Sequence, residues 1–291
     1  MAFIAKRTAS KGLLPGALRP RAWIIAALVV FILFMLRHIL DRLVYYPMSY
    51  PQGDWGVQSQ VGAQDLWFTA RDGVHLNAWW FPEPGARIVT LFLHGNAGNV
   101  THRIDHAQAI NRAGSAALIL DYRGYGKSKG HPSEQGLRLD ADAAYEAVLQ
   151  LGYDSSDVVL HAESLGTAIA ADLASRRKCA GLILEAPLAG LGEIAGRVVP
   201  FVGPLLVNGF NTKTTIPLVR VPLLILHGDA DEIVPFSQGQ AVFAAANQPK
   251  AFWRIQGAHH NDLLYAAGEQ YVPRLRAFYN SLPGREAPST N

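Results

Sequence analysis

Cysteine is almost absent. The 291-residue chain carries one, Cys179, which excludes an intrachain disulfide and a cysteine-rich zinc site. Charge is sparse as well: 17% of residues are charged and the formal net charge is +3. Beyond the N-terminal segment there is no basic stripe of the kind that tracks nucleic-acid phosphates, so no nucleic-acid partner is expected. Disorder is excluded from the other direction. Hydrophobic residues make up 49% of the chain and aromatics 10%, with ordinary contents of Gly and Pro. A chain of this length buries a sizeable core without a crosslink or metal, and neither a cofactor nor a metal is implied.

What the sequence does have is one long apolar run near its start. Ala22 to Leu36 reads AWIIAALVVFILFML, fifteen residues without a charge, and after Arg37 and His38 the apolar character resumes at Ile39-Leu40. The nineteen residues 22–40 would, at about 1.5 Å per residue, span roughly 28 Å, close to a bilayer's hydrocarbon core of about 30 Å. Arg37 can snorkel to the interface. Lys6, Arg7, Lys11, Arg19 and Arg21 precede the run with no acidic residue among them. That bias assigns 1–21 to a cytoplasmic tail, 22–40 to a single-pass anchor and the remainder to the outer (extracytoplasmic, in a bacterium periplasmic) side. Trp23 at one end and Tyr45 and Tyr46 beyond the other suit an interfacial aromatic belt. A cleaved secretory signal is the alternative, but RHILDRLVYYPM downstream holds no small-x-small cleavage pattern.

From about 61 to 283 the chain reads as one α/β domain, preceded by a linker over 41–60 that is rich in Pro, Gly, Gln and Ser, and followed by a flexible tail, 284–291. Leu66–Ala70 and Val74–Phe81 flank Asp72-Gly73, a hairpin signal. Short apolar runs follow at Ile88–Leu93, Ala116–Leu120, Val158–His161, Gly181–Leu184, Leu223–Leu226 and Phe252–Ile255. Between them lie helix candidates such as Gly136–Leu151, apolar at helical spacing. Apolar strands alternating with helices predict a mainly parallel sheet covered on both faces, with the hairpin at one edge.

The chemistry sits at the ends of these runs. Val158 to Gly166 reads VVLHAESLG and leads into TAIAADLASRR: a strand, a sharp turn with Ser164 at its apex, and a helix. Such a turn strains the serine backbone and requires small residues two before and two after it, here Ala162 and Gly166. The same spacing also suits an ordinary helix N-cap. A serine nucleophile needs a base, and the base needs an acid to hold its tautomer, in the chain order Ser, Asp/Glu, His. Downstream, HGDADEIVP offers Asp229 and Asp231, and GAHHND offers His259 and His260. Both segments leave the C-terminal edge of the sheet, where ligands bind in such folds. The residues themselves leave each pair open. The oxyanion of an acyl transfer takes two backbone N–H groups. Leu165, after the nucleophile, and Asn96, in the loop His94-Gly95-Asn96-Ala97-Gly98-Asn99, are the candidates.

Taken in order, FLHGNAGNVTHR, DYRGYGKSKG, PSEQGLRLDADAAYEAV, AESLG, HGDADEIVP and GAHHND resemble the α/β-hydrolase superfamily, and within it the membrane-anchored Bem46-like group. The resemblance covers roughly Val61 to Leu282 and implies an α/β-hydrolase fold. It also implies that the acid is the residue before Glu-Ile-Val-Pro, Asp231, and the base the residue before Asn-Asp, His260. Two departures stand out: Ala162 where a glycine is usual, and His259 where a glycine is usual.

Asp121, Arg123 and Ser128 read as a structural turn network. His94 and His227 read as buried strand-end histidines, and the pair His102 and His106 lacks a third metal ligand. Residues 187–221, apolar in part and broken by prolines, are read as a small lid that would favour an apolar acyl substrate. The expectation is a membrane-anchored serine hydrolase acting on an ester, thioester or amide of a small-molecule or acylated substrate. A serine aminopeptidase-like enzyme and a non-catalytic anchored scaffold are the alternatives.

Overall fold

The computed structural model describes residues 44–193 and 209–283, together with 23–25, 27, 28, 31 and 35. The chain divides into two compact units, Met1–Leu43 and Val44–Asn291. Most of the stretch 22–40 read as an anchor, the central part of the expected lid and the tail 284–291 lie outside the described residues. Among the described residues no helix is long and apolar enough to cross a membrane.

The second unit is built on an eight-stranded sheet. Its strands, with a separate short pair, are β1 (Tyr46–Pro47), β2 (Gln64–Thr69), β3 (His75–Phe81), β4 (Ile88–Leu93), β5 (Ala97–Gly98), β6 (Ser115–Asp121), β7 (Val158–Glu163), β8 (Gly181–Glu185), β9 (Leu223–Gly228) and β10 (Lys250–Ile255). The order across the sheet is β10-β9-β8-β7-β4-β6-β3-β2. β3 is antiparallel to both its neighbours, and every other pairing is parallel. The helices are α1 (Ile104–Arg112), α2 (Glu134–Gln150), α3 (Gly166–Arg176), α4 (Thr212–Thr215), α5 (Phe236–Ala245), α6 (Leu263–Ala267) and α7 (Tyr271–Ser281). All six single strands and the hairpin read from the sequence are present, with ends that differ by at most two residues: Ile88–Leu93 is unchanged, the two hairpin strands each lose a residue at the turn, and the other five lengthen by one or two.

Both faces of the sheet are buried, and β4 shows how. Val89, Leu91 and Leu93 point into one core with Leu118, Leu160 and Ile169, while Ile88 and Phe92 point into the other with Ile119, Val159, Ile110 and Leu275. Alternation with a period of two therefore feeds two cores at once, which makes the strand a continuous apolar run. α2 begins two residues earlier than its apolar spacing suggested. Ser133 caps it by accepting the Gly136 N–H at 3.1 Å, so the polar first turn belongs to the helix.

Part of the stretch 41–60, read above as linker, carries structure of its own. β1 pairs in parallel with β5, Tyr45 is buried against Phe210 with ring centroids 6.3 Å apart, and Trp55–Val57 forms a turn of 3-10 helix. Backbone groups in Pro- and Gly-rich chain still need partners, and here they find them in the loop after β4, at Asn96 and Gly98, and in the loop after β6, at Gly126. From the segment read as lid, the described flanks include α4, which lies against α3 and α5.

Candidate active site

The turn between β7 and α3 sets the site. Ser164 sits there with φ at 50°, in the left-handed region that non-glycine residues rarely adopt. Its N–H is held by the Glu185 carbonyl of β8 at 2.9 Å. Gly166 has no alternative, because a Cβ on it would lie 2.2 Å from the Leu93 carbonyl oxygen and 2.6 Å from that of His94. Both are backbone atoms and cannot step aside.

Two residues from distant loops converge on this serine. The Ser164 hydroxyl lies 2.9 Å from His260 Nε2, and His260 Nδ1 lies 2.7 Å from Asp231 Oδ2. An ionised carboxylate only accepts, so Nδ1–H is the donor to Asp231, and Nε2 is left to accept from the serine hydroxyl. Asp231 is fixed on its other oxygen by the N–H groups of Ile233 at 2.9 Å and Val234 at 2.7 Å. Burial opposes its charge, but His227, His260 and these N–H donors hold the carboxyl well below its ordinary value.

The two open choices are separated by geometry. Asp229 turns away to Arg254, whose Nε lies 2.7 Å from it, and to the Gly257 N–H at 2.7 Å. His259 is exposed and faces Glu232 at 3.0 Å. Asp231 and His260 are the members of each pair brought to Ser164.

His227 belongs to the site although the sequence suggested only a buried strand end. Its Nε2–H donates to the Val234 carbonyl at 2.9 Å and lies 3.4 Å from Asp231 Oδ2, so it braces the loop and the acid together. The signal that could have found it is the i, i+4 spacing of His227 and Asp231.

The loop after β4 arrives from the other side. Gly95 donates its N–H to Glu163 Oε1 at 2.9 Å, and is therefore engaged inside the protein. The Asn96 carbonyl accepts the Tyr46 N–H at 3.1 Å and the Tyr125 hydroxyl at 2.8 Å, and its side-chain amide donates to the Val44 carbonyl at 2.5 Å. Leu165, the other candidate donor, is buried at the start of α3.

Asp121, Arg123 and Ser128 lie in a structural network. Arg123 joins Asp140 at 2.8 Å and Asp72 at 2.7 Å, and the Ser128 hydroxyl donates to the Asp121 carbonyl at 2.7 Å. His102 turns back to the cap at Asn99, while His106 lies 3.5 Å from Glu185.

Comparison with known proteins agrees with this architecture. Residues 84–215 match a family described as "Serine aminopeptidase, S33", a span that contains Ser164 but ends before Asp231 and His260. The chain is 34% identical over 242 residues to an uncharacterised protein of Mycobacterium tuberculosis, covering 81% of this chain and 86% of that one. It is also 34% identical over 236 residues to the mouse alpha/beta hydrolase domain-containing protein 17C, covering 78% of this chain and 71% of the relative. The chain belongs to the α/β-hydrolase family. Among solved structures, a Pyrococcus furiosus esterase superposes with a TM-score of 0.69 at 20% identity, covering 82% of this chain and all of that one. Est1E from Butyrivibrio proteoclasticus, bound to ferulic acid, gives 0.62 at 22% identity over 73% of this chain and 97% of that one. At these identities the likeness is one of fold. For an α/β-hydrolase, a serine on the turn after a central strand with an acid and a histidine from later loops is the expected layout.

Proposed function

We propose that the chain is a membrane-anchored serine hydrolase that cleaves an ester or thioester of an apolar acyl substrate. The observation that carries the reading is the unbroken hydrogen-bond chain Asp231–His260–Ser164, with the serine in a left-handed conformation at the head of α3. Ser164 Oγ attacks the carbonyl carbon while His260 Nε2 takes its proton, and Asp231 stabilises the imidazolium that forms. The oxyanion is held by the N–H groups of Asn96 and Leu165. Collapse of the tetrahedral intermediate expels the leaving group, which takes the proton back from His260. A water molecule, deprotonated by the same histidine, then releases the acyl group.

The anchor reading rests on the uncharged run at 22–36. It is supported by the large side chains described there: Trp23, Ile24, Ile25, Leu28, Phe31 and Met35 are helical and exposed. Apolar residues left uncovered in this way suit a lipid environment. The catalytic unit then lies on the outer side, within reach of membrane-associated acyl substrates, and the apolar segment 187–221 serves as its lid.

The matched family description favours a second reading, a serine aminopeptidase on the same fold. The test is fluorophosphonate labelling of the detergent-solubilised chain beside Ser164→Ala, followed by ester, thioester and aminoacyl-anilide series. Labelling of the parent alone and turnover that rises with acyl length are expected. Turnover confined to aminoacyl anilides would favour the peptidase, and a folded parent that never labels would sink both.

A further inference from the structure

We propose that Glu163, the residue before the nucleophile, is a positioning residue that sets the oxyanion loop, acting with Arg103. The inference rests on the proposed function and assigns a role to a side chain that the Ser164–His260–Asp231 chain leaves unused.

Glu163 ends β7 with its carboxylate turned toward the loop after β4 rather than to solvent. Its Oε1 accepts the Gly95 N–H at 2.9 Å and Arg103 Nε at 2.7 Å, and Arg103 Nη2 lies 2.5 Å from the same oxygen. Arg103 Nη2 also donates to the Ala97 carbonyl at 3.1 Å. The loop is therefore gripped on both sides of Asn96, at Gly95 directly and at Ala97 through the guanidinium. Gly95 comes so close to the turn that a Cβ on it would stand 3.1 Å from Glu163 Oε1 and 3.3 Å from the Ser164 Cβ. A planar guanidinium and a carboxylate give this grip direction as well as attraction.

Behind the pair lies a second buried group. Glu185 accepts His161 Nε2–H at 2.6 Å and the Tyr271 hydroxyl, lies 3.5 Å from His106, and lends its main-chain carbonyl to the Ser164 N–H. His106 Nε2 stands 3.9 Å from the far oxygen of Glu163. Burial works against charge on Glu163, yet Arg103, His106 and the Gly95 N–H hold its carboxyl below the ordinary value, so it is an anion when the loop is in place. The Gly95 N–H is consumed by this contact and is not free to meet an oxyanion, which fits the proposed use of the next residue, Asn96, as the donor.

A displacement of even an ångström in a donor loop costs rate rather than binding. Glu163→Ala and Arg103→Ala should each lower kcat on an activated ester by roughly 10- to 100-fold, with KM within about threefold. Glu163→Gln keeps an acceptor for the Gly95 N–H and should recover most of that loss. Amide hydrogen exchange read on a peptide covering 94–99 supplies a measure that needs no turnover. It should quicken at least about tenfold in Glu163→Ala, while exchange in β6 and β8 stays at the parent rate. Parent-like kcat in a folded Glu163→Ala variant, or unchanged exchange at 94–99, overturns the proposal. If the parent itself neither labels nor turns over, the hydrolase reading falls, and the exchange experiment still decides whether Glu163 holds the loop.

Discussion

The main chains of Tyr46 and Asn96 are joined: the Tyr46 N–H donates to the Asn96 carbonyl at 3.1 Å. The bond is one of a row. Met48 N–H reaches the Gly98 carbonyl at 3.2 Å, and the Asn99 side-chain amide donates to the carbonyls of Met48 at 2.9 Å and Gln52 at 2.8 Å. The loop that carries the proposed oxyanion donor is thus strapped on its outer side by 44–52 and gripped on its inner side by Glu163. A chain beginning at residue 44 should keep the activity of the full chain, measured in detergent on a soluble ester. One beginning at residue 53 should still unfold cooperatively but lose roughly tenfold or more in kcat. Equal kcat for the two truncations would show that the strap does not matter to the loop.

The assignment of Asp231 and His260 over Asp229 and His259 predicts unequal outcomes within each pair. Asp231→Asn and His260→Ala should lower kcat by roughly three orders of magnitude or more, since members of a triad act as a unit. Asp229→Asn and His259→Ala should remain within about threefold, because removal of an exposed ion pair changes little. Steady-state kinetics on one ester settles it. A large loss at Asp229 or His259 would mean that the loops rearrange when substrate binds.

How far the sequence could be read follows from where each constraint resides. The strands were legible because both faces of the sheet are buried, which makes runs such as Ile88–Leu93 apolar throughout. Ser164 was legible because a strand, a sharp turn and a helix leave a local pattern of small residues. The choice between Asp229 and Asp231 was not legible from spacing, since it depends on Arg254 and Gly257 drawing Asp229 aside in space. The strap was missed for the same reason. Its residues are polar and turn-forming, and their partners lie roughly fifty positions away, where no periodicity can reveal them. Nothing local to Glu163 shows whether it tunes the pocket or faces solvent, because that depends on Arg103, sixty positions away, whose Nε lies 2.7 Å from its carboxylate.

Gly166 tests the turn without touching any proposed catalytic atom. With Leu93 and His94 carbonyl oxygens where a Cβ would go, Gly166→Ala must push α3 away from β4. The expected cost is about 3 kcal/mol or more in urea denaturation, together with loss of fluorophosphonate labelling. A variant as stable as the parent that still labels would show that the turn has room the structure does not display.

Asp121 and His94 face each other in the core, His94 Nε2 lying 3.7 Å from Asp121 Oδ1, and both are fully buried. Burial pushes the Asp121 carboxyl up to about 7, even though the Val100 N–H favours its charged form. Its proton is therefore held more tightly in the folded chain than in the unfolded one. The stability this confers is complete below the ordinary value of 3.8 and is lost as the pH rises through about 7. His94 works in the opposite sense. Burial, aided by Arg103, lowers it to about 3, so its contribution is present above the ordinary 6.5 and is lost as the pH falls toward 3. Comparing Asp121→Asn with the parent removes the His94 slope, which both share, and isolates the carboxyl. The variant should gain on the parent by roughly 2–4 kcal/mol between about pH 4 and about pH 8, read from urea denaturation at each pH. A gap that stays constant over that range would mean that Asp121 is ionised throughout, and that the loop between β4 and α1 is held by a buried charge.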